Sequence, residues 1–152
     1  MLVWFRIAVS VAAVLGPLLS ALPSKQQRAV AKFRDRARQV GIQVRMRGPQ
    51  DLPPRLQRVS DVDLVSYGRR LPQDPPVPGL KSELWVLTRE GWEARSGDAS
   101  PAIVTGIPAH IEVIQLDGEY LQVFWDERGG DSAYEQVERL LDPKGLAMFA
   151  AA

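Results

Sequence analysis

Hydrophobic positions change their spacing along this chain, and each spacing predicts a different element. Leu2–Leu22 is a continuous apolar run of 21 residues broken by one charge, Arg6. A helix of that length reaches about 31 Å, the thickness of a bilayer's hydrocarbon core. Arg6 lies near the run's start, where its side chain can snorkel to the headgroups beside Trp4 and Phe5. Pro17 would kink such a helix without ending it.

The spacing then shifts to a helical one. Val30, Phe33, Ala37 and Val40 fall on one face, and Arg28, Lys32 and Arg36 form a row on another. Ser24 is placed as an N-cap with Gln27 as its capping-box partner, and Gly41 supplies the stop. This predicts a basic helix over 23–41.

Alternation of period two follows. Ile42, Val44 and Met46 predict a half-buried strand, and Val62–Val65 with Tyr67 a second. Asp51–Arg58 reads as loop or a short turn. Glu83–Thr88 and Trp92–Arg95 bracket a hairpin, with Trp85 and Trp92 near each other. Ile111–Leu116 and Glu119–Trp125 bracket another around Asp117-Gly118, a type I′ signature. Ser132, with Glu135 as box partner, would cap a last short helix that turns Tyr134, Val137 and Leu141 inward. Asp142-Pro143-Lys144-Gly145 ends it and leaves an apolar tail. The order implies an α+β fold with a mostly antiparallel sheet over 42–152. Residues 71–80 carry four prolines and read as an extended loop.

Charge gives the apolar run a direction. Residues 23–50 hold eight Lys/Arg and one acid, whereas Arg6 is the only charged side chain before them. Positive charge beside a span is retained in the cytoplasm. The expectation is an inner-membrane anchor over 1–22, amino terminus outward, with the rest of the chain cytoplasmic. The rival is a cleaved secretory signal, but Leu19-Ser20-Ala21 offers a small residue at only one of the two flanking positions cleavage wants. Residues 1–50 balance to +8 and residues 51–152 to −7, so an acidic domain would stand off the membrane on a basic foot. Lys25, Arg28, Lys32 and Arg36 are the candidate contacts to lipid headgroups. Ala8, Ala12, Gly16 and Ser20 recur every fourth residue and form a candidate helix-packing face for another membrane protein. Lipid headgroups are the nearer polyanion for the basic helix, and nucleic acid is not expected.

Candidate chemistry is sparse. There is no cysteine, hence no thiolate nucleophile or thiolate metal site. His110 is the single histidine. The densest acidic stretch, Asp126–Asp131, has the composition of a solvated strand-to-helix loop, and Gly129-Gly130 lacks the lysine of a phosphate loop. No catalytic constellation and no cofactor is predicted. The remaining enzymatic alternative is a tethered enzyme using that loop with His110. Trp85, Trp92 and Trp125 are placed on strands as core or sheet-face residues.

Pro23-Ser24-Lys25-Gln26-Gln27-Arg28 and Pro143-Lys144-Gly145 resemble two stretches of the small single-pass accessory subunit of the bacterial Sec translocon. That family joins one amino-terminal span to a basic helix and a small β domain. The layout is also similar to that of small proteobacterial inner-membrane proteins with a basic exit from the span. The resemblance implies a cytoplasm-facing, non-enzymatic accessory role and carries over no active residue. Here the proline patch, the extra tryptophans and the last helix depart from the family pattern.

Overall fold

A computed structural model of the chain describes residues 24–50, 52–56, 58, 63–71, 82–118 and 120–150. The apolar run Leu2–Leu22, with Ala8, Ala12, Gly16 and Ser20, lies outside the described residues, as does most of the proline patch. Among the described residues no helix is long and apolar enough to cross a membrane.

The chain divides into two compact units, Met1–Lys32 and Phe33–Ala152. Helix α1 (Lys25–Gln39) runs through the division. Both of its ends follow the sequence. The Ser24 N–H donates to Gln27 Oε1 at 2.8 Å and the Gln27 N–H donates back to Ser24 Oγ at 3.2 Å, a reciprocal capping box. At the other end Gly41 takes φ +81°, the Gly41 N–H reaches the Arg38 carbonyl, and the Ile42 N–H reaches Ala37. That pair of bonds is a Schellman stop, sealed by buried Ile42 against buried Ala37.

In the second unit, strands β1 (Gln43–Arg45), β2 (Val65–Arg70), β3 (Glu83–Thr88), β4 (Gly91–Ala94), β5 (Ile111–Asp117) and β6 (Tyr120–Trp125) form one antiparallel sheet. Its spatial order is β1-β2-β6-β5-β3-β4, every neighbouring pair antiparallel. Helices α2 (Ala102–Thr105), α3 (Gly130–Leu140) and α4 (Pro143–Ala150) complete the α+β fold.

Register assigns the side chains to two faces. Val44, Tyr67, Val123, Ile114, Trp85 and Ala94 stand opposite one another across all six strands. The helices cover this face: Trp85 packs on Phe149 of α4 with ring centres 6.1 Å apart, and Arg69 donates to the Leu141 carbonyl at the end of α3. Leu84, Val86, Val113 and Phe124 point the other way, where Leu56 and Leu64 close a second, smaller core. The ladder slips by one residue at Glu112, so Ile111 joins the helix face and Val113 the opposite one.

The structure corrects the expected elements in several places. The second strand begins at Val65 and runs on to Arg70. Met46 is 70% exposed, because β1 is an edge strand of three residues that ends before it, and Val40 is exposed beside the helix stop. In the β5–β6 hairpin the pairing extends to Asp117↔Tyr120, and Gly118 lies outside the left-handed region that a type I′ turn demands. Asp117 Oδ1 accepts the Tyr120 N–H there instead.

Ser132 is not the cap of α3. The cap lies three residues earlier, at Gly129 with φ +91°, and Ser132 Oγ donates to the Gly129 carbonyl. Tyr134, Val137 and Leu141 do turn inward. The apolar tail is helix α4. Asp142 caps it by accepting the Gly145 N–H at 2.6 Å, and Pro143 stands at its first position, where no N–H is needed. Gly145 is required by space: a Cβ there would sit 2.5 Å from the Leu140 carbonyl oxygen. Pro143-Lys144-Gly145 thus joins two helices.

Candidate functional site

The largest departure from a purely apolar interior lies where α1 meets the sheet. Glu127 belongs to the loop after β6, a stretch whose composition suggested solvation, yet it is 8% exposed. It adopts φ +55°, a conformation that costs a non-glycine residue on the order of 1 kcal/mol. The bend turns its carboxylate inward. Arg34 clamps it with two parallel bonds, one from Nε to Oε1 at 2.7 Å and one from Nη2 to Oε2. The Tyr67 hydroxyl donates to the same Oε1 at 2.9 Å. A bidentate guanidinium–carboxylate pair with a third donor is the geometry that makes burying a charge tolerable.

The electrostatics follow from this arrangement. Arg34 is held even more firmly protonated than an ordinary arginine by its bonds to Glu127, against the opposing effect of burial. Burial is the main cause that pushes the Tyr67 hydroxyl well above the usual tyrosine value, and the neighbouring Glu127 charge adds to it. Tyr134 is raised as well, first by burial and then by Glu138.

Two residues along, Arg36 bonds to Glu138 at 2.6 Å and lies over the Tyr134 ring, 5.0 Å from its centre. Phe33 stacks on that ring, with centres 5.2 Å apart and planes within 10°. The second half of α1 is therefore bonded to the β6–α3 loop and α3 by two ion pairs and one aromatic stack. Of the four cations assigned to lipid by sequence, Arg36 is committed to this contact, while Lys25, Arg28 and Lys32 are exposed.

His110 does lie beside the acidic loop, against Gly129. A Cβ on Gly129 would meet its Nε2 at 3.0 Å and the Ala133 Cβ at 2.8 Å, so the imidazole and α3 close over a glycine. The loop's carboxylates have other tasks: Glu127 faces Arg34, and Asp126 accepts the Arg128 N–H at 2.8 Å. Among the described residues no group of three His, Asp or Glu could hold a metal ion. Trp85 and Trp125 are buried and Trp92 is half-buried, so the strand tryptophans act as core.

The sequence did not point to Glu127 or Tyr67. The only signal was an acidic residue next to two glycines after a strand, and nothing local says which of Asp126, Glu127 and Asp131 turns inward. No family model matches the chain, and no curated protein or solved structure matches it.

Proposed function

We propose that this chain is a single-pass inner-membrane protein, amino terminus outward, that presents an acidic α+β domain to a protein partner at the cytoplasmic surface and performs no catalysis. The division of charge along α1 is the observation that carries the reading. Arg34 and Arg36 bond to the domain, whereas Lys25, Arg28 and Lys32, which lie closer to the apolar run, are exposed. A helix that bonds Arg34 and Arg36 to protein and keeps Lys25 and Lys32 exposed nearer the apolar run suits an anionic leaflet beside Leu22. The second compact unit begins at Phe33, eleven residues after Leu22. Ala8, Ala12, Gly16 and Ser20 are the face through which the span would meet a partner helix.

The absence of native cysteine makes the test direct. Ala99 is exposed, and an Ala99→Cys chain should react with a membrane-impermeant maleimide only after cells are permeabilised. Labelling of intact cells overturns the orientation. A mature chain shortened by the apolar run's mass would identify an exported domain instead. A photo-crosslinking residue at Ala12 should capture a protein; adducts with lipid alone would remove the packing face.

A further inference from the structure

Among the described residues the sheet face opposite the helices is covered over part of its width. Its apolar half lies under Leu52, Leu56 and Leu64. The other half forms a pocket of about 230 Å³. Register explains its floor. Gly68, Gln122 and Gln115 stand opposite one another on β2, β6 and β5, and Arg45, Ser66 and Phe124 form the next row. Gly68 helps keep the floor open, since a Cβ there would press on the Gln122 side chain at 3.1 Å. Arg45 and Arg47 stand at one edge, and Arg95 just past β4 stands at the other.

We propose that this pocket binds the phosphate group of a phosphate monoester. Three arginines line it, and among the described residues no carboxylate does. Among the described residues the Arg47 side chain has no partner, and Arg45 bonds only to neutral Gln43. Arg95 has Glu83 in electrostatic range, but that carboxylate accepts the Leu84 and Ser96 N–H groups. One floor amide is oriented to donate. Ser66 Oγ occupies the Gln122 carbonyl oxygen at 3.2 Å, which leaves the Gln122 NH2 for a ligand. The Gln115 side chain likewise has no partner among the described residues.

Guanidinium forks match phosphate oxygens two at a time, and a monoester carries about −1.5 to −2 at neutral pH, which suits three cations better than a single carboxylate does. The volume lies below the ~300–1,000 Å³ of pockets that enclose drug-sized ligands, so the phosphate group enters and the rest of the molecule stays outside. A soluble phosphate monoester and the headgroup of phosphatidic acid both offer this group. The proposal does not rest on the membrane reading, because its soluble arm tests the pocket alone.

The full chain is placed in phosphatidylcholine nanodiscs, and the side-chain amide signals of Gln115 and Gln122 are followed by nuclear magnetic resonance. Inorganic phosphate, with acetate as the control anion, is the soluble probe; discs containing phosphatidic acid are the lipid probe. Shifts with phosphate identify a soluble source, and shifts with phosphatidic acid alone identify the headgroup; either supports the site. Arg47→Gln, at an exposed position with no internal bond to lose, should weaken binding about tenfold. Arg89→Gln, an exposed arginine in the β3–β4 turn, should leave it unchanged. No shift from either source, equal shifts with acetate, or equal weakening by Arg89→Gln overturns the proposal.

Discussion

The two faces of the sheet are built from the same strands but closed by different means. On one, the row from Val44 to Ala94 is apolar throughout and helices cover it, with the Arg34–Glu127–Tyr67 cluster set at its margin. On the other, Leu84, Val86, Val113 and Phe124 gather a compact apolar patch under one chain segment, and the remaining width is glutamine, serine and arginine. Continuous burial gives the first face its stability. The second leaves polar side chains on a rigid floor, which is where a binding function can be placed at little cost to the fold.

The sharpest test of that contrast is to open a hole in each face. Trp125→Ala, at a fully buried position beside Tyr67, should cost about 3–5 kcal/mol in chemical denaturation of the full chain in detergent. Glu127→Gln comes next. It leaves Arg34, whose side chain is 24% exposed, without its counter-charge, and a loss of about 2–3 kcal/mol is expected after allowing for that exposure. Leu56→Ala on the second face should cost about 2 kcal/mol, the low end for leucine, because only a short segment covers it. If Leu56→Ala cost as much as Trp125→Ala, the faces would be energetically alike and the contrast would fail.

A pair of tyrosines gives the finest comparison. Tyr67→Phe removes a bond to a buried carboxylate and should cost about 1 kcal/mol. Among the described residues the buried Tyr134 Oη has no hydrogen-bond partner, so Tyr134→Phe should be neutral or slightly stabilising. Alkaline titration separates them further. The folded-state value of Tyr67 lies above the unfolded value of about 10, so the stability it lends is intact below that pH. It is lost as pH rises further, because the unfolded chain can then shed the proton and the folded chain holds it. Tyr67→Phe should flatten that alkaline loss, measured as denaturation midpoint against pH.

Much of this was legible in local patterns. Ser24-Lys25-Gln26-Gln27 carries its own reciprocal bonds, and Gly41 its own left-handed turn, so both ends of α1 are written within a few residues of where they act. Alternation in the first strand and turn residues between the hairpin strands located the six described strands for the same reason, although the bounds moved by several residues at Val65 and at the β5–β6 turn. Helix α4 was missed because Asp142-Pro143-Lys144-Gly145 contains strong stop residues. Only the approach of Leu140 to Gly145 reveals that the same residues also start a helix.

The sequence by itself determined helix α1 with both of its caps, the strand segments and the charge asymmetry about the apolar run, since each depends on neighbours in the chain. Tertiary structure alone decided which carboxylate is buried and which arginines gather. Glu127 meets Arg34 across 93 positions and Tyr67 across 60, and Arg45 shares a pocket with Arg95 from the far side of the sheet. Such encounters are set by strand order and register, and no local spacing in the chain encodes them.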